Sequence, residues 1–210
     1  MTEGLGMSLD YSRESKTLKF SHEAYLERAL KSKCRRDVCK RSVPLSPQHV
    51  KEVCKKAKPS QDEFDQELYT EFRSVLGCVA HVANWSRPDI AFSVSYISQY
   101  MANPGKGHLD LLYEIVGYLL GTKNKWIIFR ACSDLLNTLI GMCDSDWGGD
   151  KTSRRSRTGY VFFLFGNIIA WQARLQASVS LSTAEAEYQA ICAAAQFAVW
   201  AKQMVGDLGL

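Results

Sequence analysis

The hydrophobic period changes once along this chain, and that change limits the fold more than any other feature. Between about residues 62 and 120 apolar residues recur every three to four positions, whereas from Trp126 onward they come in short, strand-like runs. The first part predicts three amphipathic helices. One covers 62–85: Asp62, Glu63, Asp65, Glu67 and Glu71 suit its positive end, and Tyr69, Phe72, Val75, Leu76 and Val79 form its apolar face. A second starts at Pro88 and runs through Ile90, Phe92, Val94, Ile97 and Met101 until Asn103-Pro104-Gly105 stops it. The third spans about 108–120, with Gly121 as its C-cap. Short turns between three such helices imply a small bundle.

Strands are expected at 126–129, 138–143, 159–165, 167–171 and 178–181, after which Ser182 or Thr183 caps a final helix with Glu185 in its first turn. Hairpin strands followed by a helix read as an α+β fold with a largely antiparallel meander. The boundary falls near 123–137, separating a region 1–125 from a second region 135–210. Upstream, residues 5–10 and 17–20 read as a hairpin, and Ser21 as the N-cap of a helix whose face is Tyr25, Leu26, Ala29 and Leu30. Residues 35–59 carry Pro44, Pro47 and Pro59 without sustained period, which marks a loop or wrapping connector.

With 46% hydrophobic residues the chain can bury a core. Seven cysteines show no metal-ligand spacing and read as free thiols in a reducing compartment. No apolar run reaches the roughly 18 residues of a membrane span, and the first residues, Met1-Thr2-Glu3-Gly4, lack a signal-peptide pattern. A soluble, intracellular protein with no membrane partner is the expectation. The net charge of +4 permits nucleic-acid binding without requiring it. Residues 1–60 hold fourteen Lys and Arg against seven Asp and Glu, and Arg154, Arg155 and Arg157 form a second basic cluster. These are either phosphate contacts or a solvated face.

The chemistry-bearing pattern lies at Leu139-Ile140-Gly141-Met142-Cys143, where an apolar run breaks into Asp144-Ser145-Asp146-Trp147-Gly148-Gly149-Asp150. A buried strand delivers carboxylates to its exposed end in this way. Forty residues on, Glu187 falls on one helical face with Ile191 and Ala194, so it is expected to point toward the sheet. Glu185 reads as a capping or solvent-facing acid. Two divalent cations about 4 Å apart need carboxylates that converge from separate elements, and Asp144 with Glu187 meets that logic. The alternative is turn chemistry for the Asp-x-Asp and a helix-dipole role for the Glu.

Six blocks carry a resemblance: Ser86-Arg87-Pro88-Asp89-Ile90-Ala91-Phe92, Asn103-Pro104, Tyr118-Leu119-Leu120-Gly121-Thr122, Asp144 to Asp150, Arg155-Ser156-Arg157-Thr158-Gly159-Tyr160-Val161, and Leu181-Ser182-Thr183-Ala184-Glu185-Ala186-Glu187-Tyr188. In order and spacing they resemble the Pol polyprotein of copia-type LTR retrotransposons. The resemblance implies that 1–125 is the thumb- or connection-like end of a reverse transcriptase, and 135–210 the first part of a ribonuclease H-like domain. It also implies Asp144 and Glu187 as catalytic, metal-binding carboxylates for Mg²⁺ or Mn²⁺, an RNA/DNA hybrid as substrate, and the remaining Pol segments as partners. The parent element implies a cytoplasmic, virus-like-particle setting.

The chain departs from that family in two ways. It lacks the paired aspartates of the polymerase site, and it lacks the third and fourth carboxylates that follow the Glu-bearing helix; Asp207 lies in a helix stop and does not take the third role. The expectation is therefore a truncated Pol remnant without independent catalysis, with an unpaired strand edge and exposed apolar surface. Two rivals are a weak metal-dependent nuclease in which Asp146, Asp150 or Asp207 substitutes, and a non-enzymatic module that binds nucleic acid or protein through residues 31–58 and Arg154, Arg155 and Arg157.

Overall fold

The computed structural model describes residues 2–4, 6–56, 65–131 and 138–209. Among them the chain is α+β, with six α-helices and two antiparallel sheets. In order the elements are β1 (Thr2–Gly4), β2 (Met7–Ser12), β3 (Thr17–Ser21), α1 (Glu23–Lys33), α2 (Pro47–Lys56) and α3 (Gln66–Trp85). A short 3-10 helix (Pro88–Ile90) follows, then α4 (Ala91–Ser98), α5 (Lys106–Gly121), β4 (Ile127–Arg130), β5 (Leu139–Asp146), β6 (Arg157–Leu164), β7 (Asn167–Leu175) and α6 (Thr183–Asp207). One sheet has the order β1-β2-β3-β4 and the other β5-β6-β7. The chain divides into two compact units, Met1–Tyr11 with Leu18–Ile127, and Ser12–Thr17 with Ile128–Leu210.

In the first unit the expected helical faces form the core: Phe72, Val75 and Val79 of α3 meet Leu111, Ile115 and Leu119 of α5, all fully buried. Asp65 caps α3, its carboxylate accepting from the N–H groups of Glu67 and Leu68 at 3.0 Å. Asp62 and Glu63, expected to open this helix, lie outside the described residues, as does Leu5 of the first expected strand. Pro88 starts the 3-10 helix as expected, and its missing N–H costs nothing there.

Two of the family-like blocks build one lock in this unit. Arg87, 3% exposed, grips the Asp89 carboxylate through Nε and Nη2 at 2.9 and 2.8 Å. It also donates to the carbonyl and hydroxyl of Thr122 at 3.1 and 2.6 Å. Tyr118 donates its hydroxyl to Asp89 at 2.6 Å. These bonds tie the start of the 3-10 helix to the end of α5. Burial alone would raise the Asp89 carboxyl, but Arg87, Tyr118 and Lys125 hold it below the ordinary range.

The proline-rich stretch after α1 does wrap, and the residues that permit it lie on α5. The Arg41 N–H donates to the Gly117 carbonyl at 3.1 Å. A Cβ at Gly117 would stand 2.3 Å from the Cys39 carbonyl oxygen, and one at Gly121 2.8 Å from that of Arg41. Ion pairs then fix the strap: Arg36 to Asp110 at 2.7 Å and Arg41 to Glu114 at 2.9 Å, the latter carboxylate also meeting His49 Nδ1 at 2.7 Å. Within the stretch, Pro47–Lys56 departs from the expectation and forms α2. Pro47 occupies the first position, where proline is harmless, and Val53 turns inward to 6% exposure.

Two caps also move. Ser21 ends β3, buried, and His22 takes the N-cap of α1 without a side-chain capping bond. Gly121 remains helical and Thr122 is the C-cap, its hydroxyl donating to the Tyr118 carbonyl at 2.7 Å.

The second unit is a three-stranded meander with α6 against β5 and β6. Leu139 pairs with Leu164 and Asp146 with Arg157, and β6 pairs with β7 through a bulge at Phe162/Phe163. Phe197 of α6 stacks on Tyr160 and tilts against Phe162, their ring centroids 5.7 and 4.7 Å away. A Cβ at Gly141 would fall 2.3 Å from the Phe162 ring, so glycine in β5 makes room for it. The buried stripe of α6 is Ala186, Ala190, Ala194 and Ala201; of the expected face of Glu187, Ile191 and Ala194 only Ala194 belongs to it, Glu187 being half-buried and Ile191 51% exposed. Alanine lets the helix lie close to the sheet, and a larger residue on that line would hold it off.

Candidate functional site

Of the three acids in the motif at the end of β5, Asp150 has structural work, while Asp144 and Asp146 are exposed with no side-chain hydrogen bond or ion pair to a described residue. Gly148 adopts φ +58°, and its N–H donates to the Ser156 hydroxyl at 3.1 Å. The Asp146 carboxylate folds over Gly149, where a β-carbon would make it swing away. Asp150, 8% exposed, organises the turn into β6: its carboxylate accepts from the Ser153 N–H at 2.9 Å and from the Ser153 hydroxyl. Burial would raise this carboxyl, but the Ser153 bonds and the Arg157 charge lower it. Asp150 is thus the acid that builds the hairpin, which leaves it badly placed to substitute as a ligand.

Asp144 has no such employment. It is exposed, and no side-chain hydrogen bond or ion pair joins it to a described residue. Its cross-strand partner is Gly159.

Glu187 sits near the start of α6, half-buried, and likewise without a side-chain partner among the described residues. The helix start is fixed by Ser182, whose hydroxyl accepts from the Glu185 N–H at 3.1 Å, while the Glu185 carboxylate accepts from the Leu181 N–H at 2.7 Å. Glu185 therefore has the capping role. The segment expected as a strand at 178–181 is irregular instead. Its polar side chains outcompete a ladder: Ser180 donates to Gln176 at 2.9 Å, and Gln176 donates to the Thr158 hydroxyl and the Ala186 carbonyl, each at 3.0 Å.

This loop joins the two acid-bearing elements. Trp147, within the acidic motif, donates its indole N–H to the Ser180 carbonyl at 3.1 Å, and Gln189 of α6 donates to the Ser180 hydroxyl at 3.1 Å. The sequence marked Trp147 only as part of a block; its role is to staple the end of β5 to the entry of α6.

The elements meet, but the carboxylates are not joined. Tyr160 and Phe162 reach α6, and their partners Cys143 and Gly141 share that face of the sheet. By strand alternation Asp144 falls on the other face. Among the described residues no group of three His, Cys, Asp or Glu side chains could hold a metal ion. Asp207 ends α6, exposed. Of the basic cluster, Arg154 is exposed at φ +58°, Arg155 is half-buried and bonds Ser153 Oγ at 3.3 Å, and Arg157 is only 6% exposed. Upstream, Arg36 and Arg41 are tied into the strap by ion pairs.

No helix of the described residues is long and apolar enough to cross a membrane. No protein-family model matches the chain, and no solved structure does. It is 34% identical over 206 residues to the retrovirus-related Pol polyprotein from transposon TNT 1-94 of Nicotiana tabacum, a match that covers 98% of this chain and 15% of that protein. It is 34% identical over 141 residues to the retrovirus-related Pol polyprotein from transposon RE1 of Arabidopsis thaliana, covering 67% of this chain and 9% of the polyprotein. A secreted RxLR effector protein 161 of Plasmopara viticola is 36% identical over 129 residues, 61% of this chain and 89% of that protein. The chain thus spans a small part of the Pol polyproteins it matches.

Proposed function

Because the chain belongs to the family of copia-type retrotransposon Pol polyproteins, we propose that residues 1–125 are the end of a reverse transcriptase and residues 135–210 the first part of a ribonuclease H-like domain. The parent enzyme on this reading copies RNA into DNA and hydrolyses the RNA strand of the hybrid. Asp144 and Glu187 are then two of its metal-binding carboxylates. The observation that carries the reading is that Asp150 and Glu185 are engaged in a turn and a cap, whereas the side chains of Asp144 and Glu187 lack a partner on elements that pack together; Asp146, also without a side-chain partner, lies two residues along the same strand.

The donor set does not fit a complete Mg²⁺ or Mn²⁺ site. Asp144 on β5 and Glu187 on α6, which no contact joins and which have no third ligand among the described residues, neither neutralise two cations nor fix their geometry. We therefore read the chain as a Pol segment that does not cleave by itself. Paramagnetic broadening by Mn²⁺ tests the assignment of the acids. Resonances of Asp144 and Glu187 are expected to broaden together at millimolar metal, and broadening centred elsewhere overturns it.

A second reading, nucleic-acid binding without cleavage, is favoured by one observation: Arg154 stands exposed at the tip of the β5–β6 connection, beside exposed Lys151. Affinity for a hybrid should then fall steeply with salt, and a flat response contradicts it.

A further inference from the structure

The outer face of α6 is apolar where a surface helix is ordinarily polar. With Ala186, Ala190, Ala194 and Ala201 turned to the sheet, helical spacing puts Tyr188, Ile191, Cys192, Ala195 and Val199 on the opposite side, with Gln196 the polar residue at its edge. Tyr188 is 73% exposed, Ile191 51% and Val199 61%, with Trp200 at the margin. From Tyr188 to Ala201 the helix contains no charged residue; its charges are Glu185 and Glu187 at one end, and Lys202 followed by Asp207 at the other. A helix apolar on both faces is stable in water only when both are covered.

We propose that this face binds a second copy of the chain, the two α6 helices lying antiparallel across a two-fold axis near residues 193 and 194. Antiparallel alignment sets Tyr188 of each copy against Val199 of the other and brings the Glu185 end beside the partner copy's Lys202. A parallel pair would place the acids of both copies together and align the helix dipoles, which opposes it. The same surface serves on both copies, as a closed dimer requires. Ala184 and Ala195 let the backbones approach, and Cys192 comes near the axis.

Sedimentation equilibrium of the full chain tests this, with circular dichroism as the control for folding. The expected result is a reversible dimer, and a short bismaleimide should cross-link it through Cys192 but not in Cys192→Ala. Val199→Glu and Tyr188→Lys, each alone, should weaken the dimer at least about tenfold. Combined, they should restore it, because the new charges face one another across the axis; a merely destabilised fold would not recover. A folded chain that stays monomeric overturns the proposal and leaves the face to another protein. Self-association that ignores both substitutions, or that the pair fails to rescue, overturns it equally.

Discussion

His22 bonds the Ser86 hydroxyl through Nδ1 at 2.7 Å and leaves Nε2 buried without a hydrogen-bond partner. His81 lies edge-on, its ring centroid 5.1 Å away, and Tyr25 packs against both rings. Burial, and then the charge of His81, lowers the His22 pKa from 6.5 to about 4. The unfolded chain therefore takes up this proton first as pH falls. Stability from this group is complete above pH 6.5 and declines down to about pH 4, by at most about 3 kcal/mol. Urea unfolding from pH 7.5 to 4 should show the decline, and His22→Gln should flatten it; an unchanged slope in that variant contradicts the assignment.

Two helical glycines should respond to alanine with opposite signs. Gly77 in α3 has nothing within 4 Å of the place a β-carbon would take, so Gly77→Ala should stabilise by about 1 kcal/mol. Gly117→Ala gains the same helix propensity but drives a methyl into the Cys39 carbonyl. It should lower stability by roughly 1–3 kcal/mol. Equal effects in thermal melts would mean that the strap does not sit on α5.

Arg87 is held by geometry as well as charge. Arg87→Ala strands the Asp89 carboxylate and should cost about 3–5 kcal/mol. Arg87→Lys should recover little, because an ammonium cannot grip Asp89 and Thr122 together. Full recovery by lysine in denaturant titrations would reduce the site to a simple ion pair.

On α6, Ala190→Leu should destabilise by about 1–3 kcal/mol by forcing the helix off the sheet, while Ile191→Ala, on the exposed side, should change monomer stability by less than about 0.5 kcal/mol. The opposite ranking would restore the face assumed from Glu187, Ile191 and Ala194.

The places where sequence reading succeeded and failed follow from where the information lies. The α3 and α5 faces were legible because large aliphatic residues repeat with the helical period over several turns. The face of α6 was not, because apolar residues occur all round it and only the contact with Phe162 and Tyr160 selects the alanine side. Val179 and Leu181 have strand propensity, yet Gln176 and Ser180 bind the local backbone and side chains and leave both apolar residues exposed. Helix α2 was hidden by Pro44 and Pro47, although proline at a first helical position is itself a start signal. The strap on Gly117 and Gly121 had a spacing that sequence contains, but the segment that would cover it lies some eighty residues away. For the site, Asp144 and Glu187 were legible as acids on separate elements; the alternation that separates them required the register with Tyr160.

Cleavage of a labelled RNA/DNA hybrid by the purified chain in Mg²⁺ and in Mn²⁺ tests most directly whether Asp144 and Glu187 form only part of a metal site. The expected result is no metal-dependent product above the level of the Asp144→Asn variant. Hydrolysis of the RNA strand that requires the metal and disappears in Asp144→Asn would contradict it.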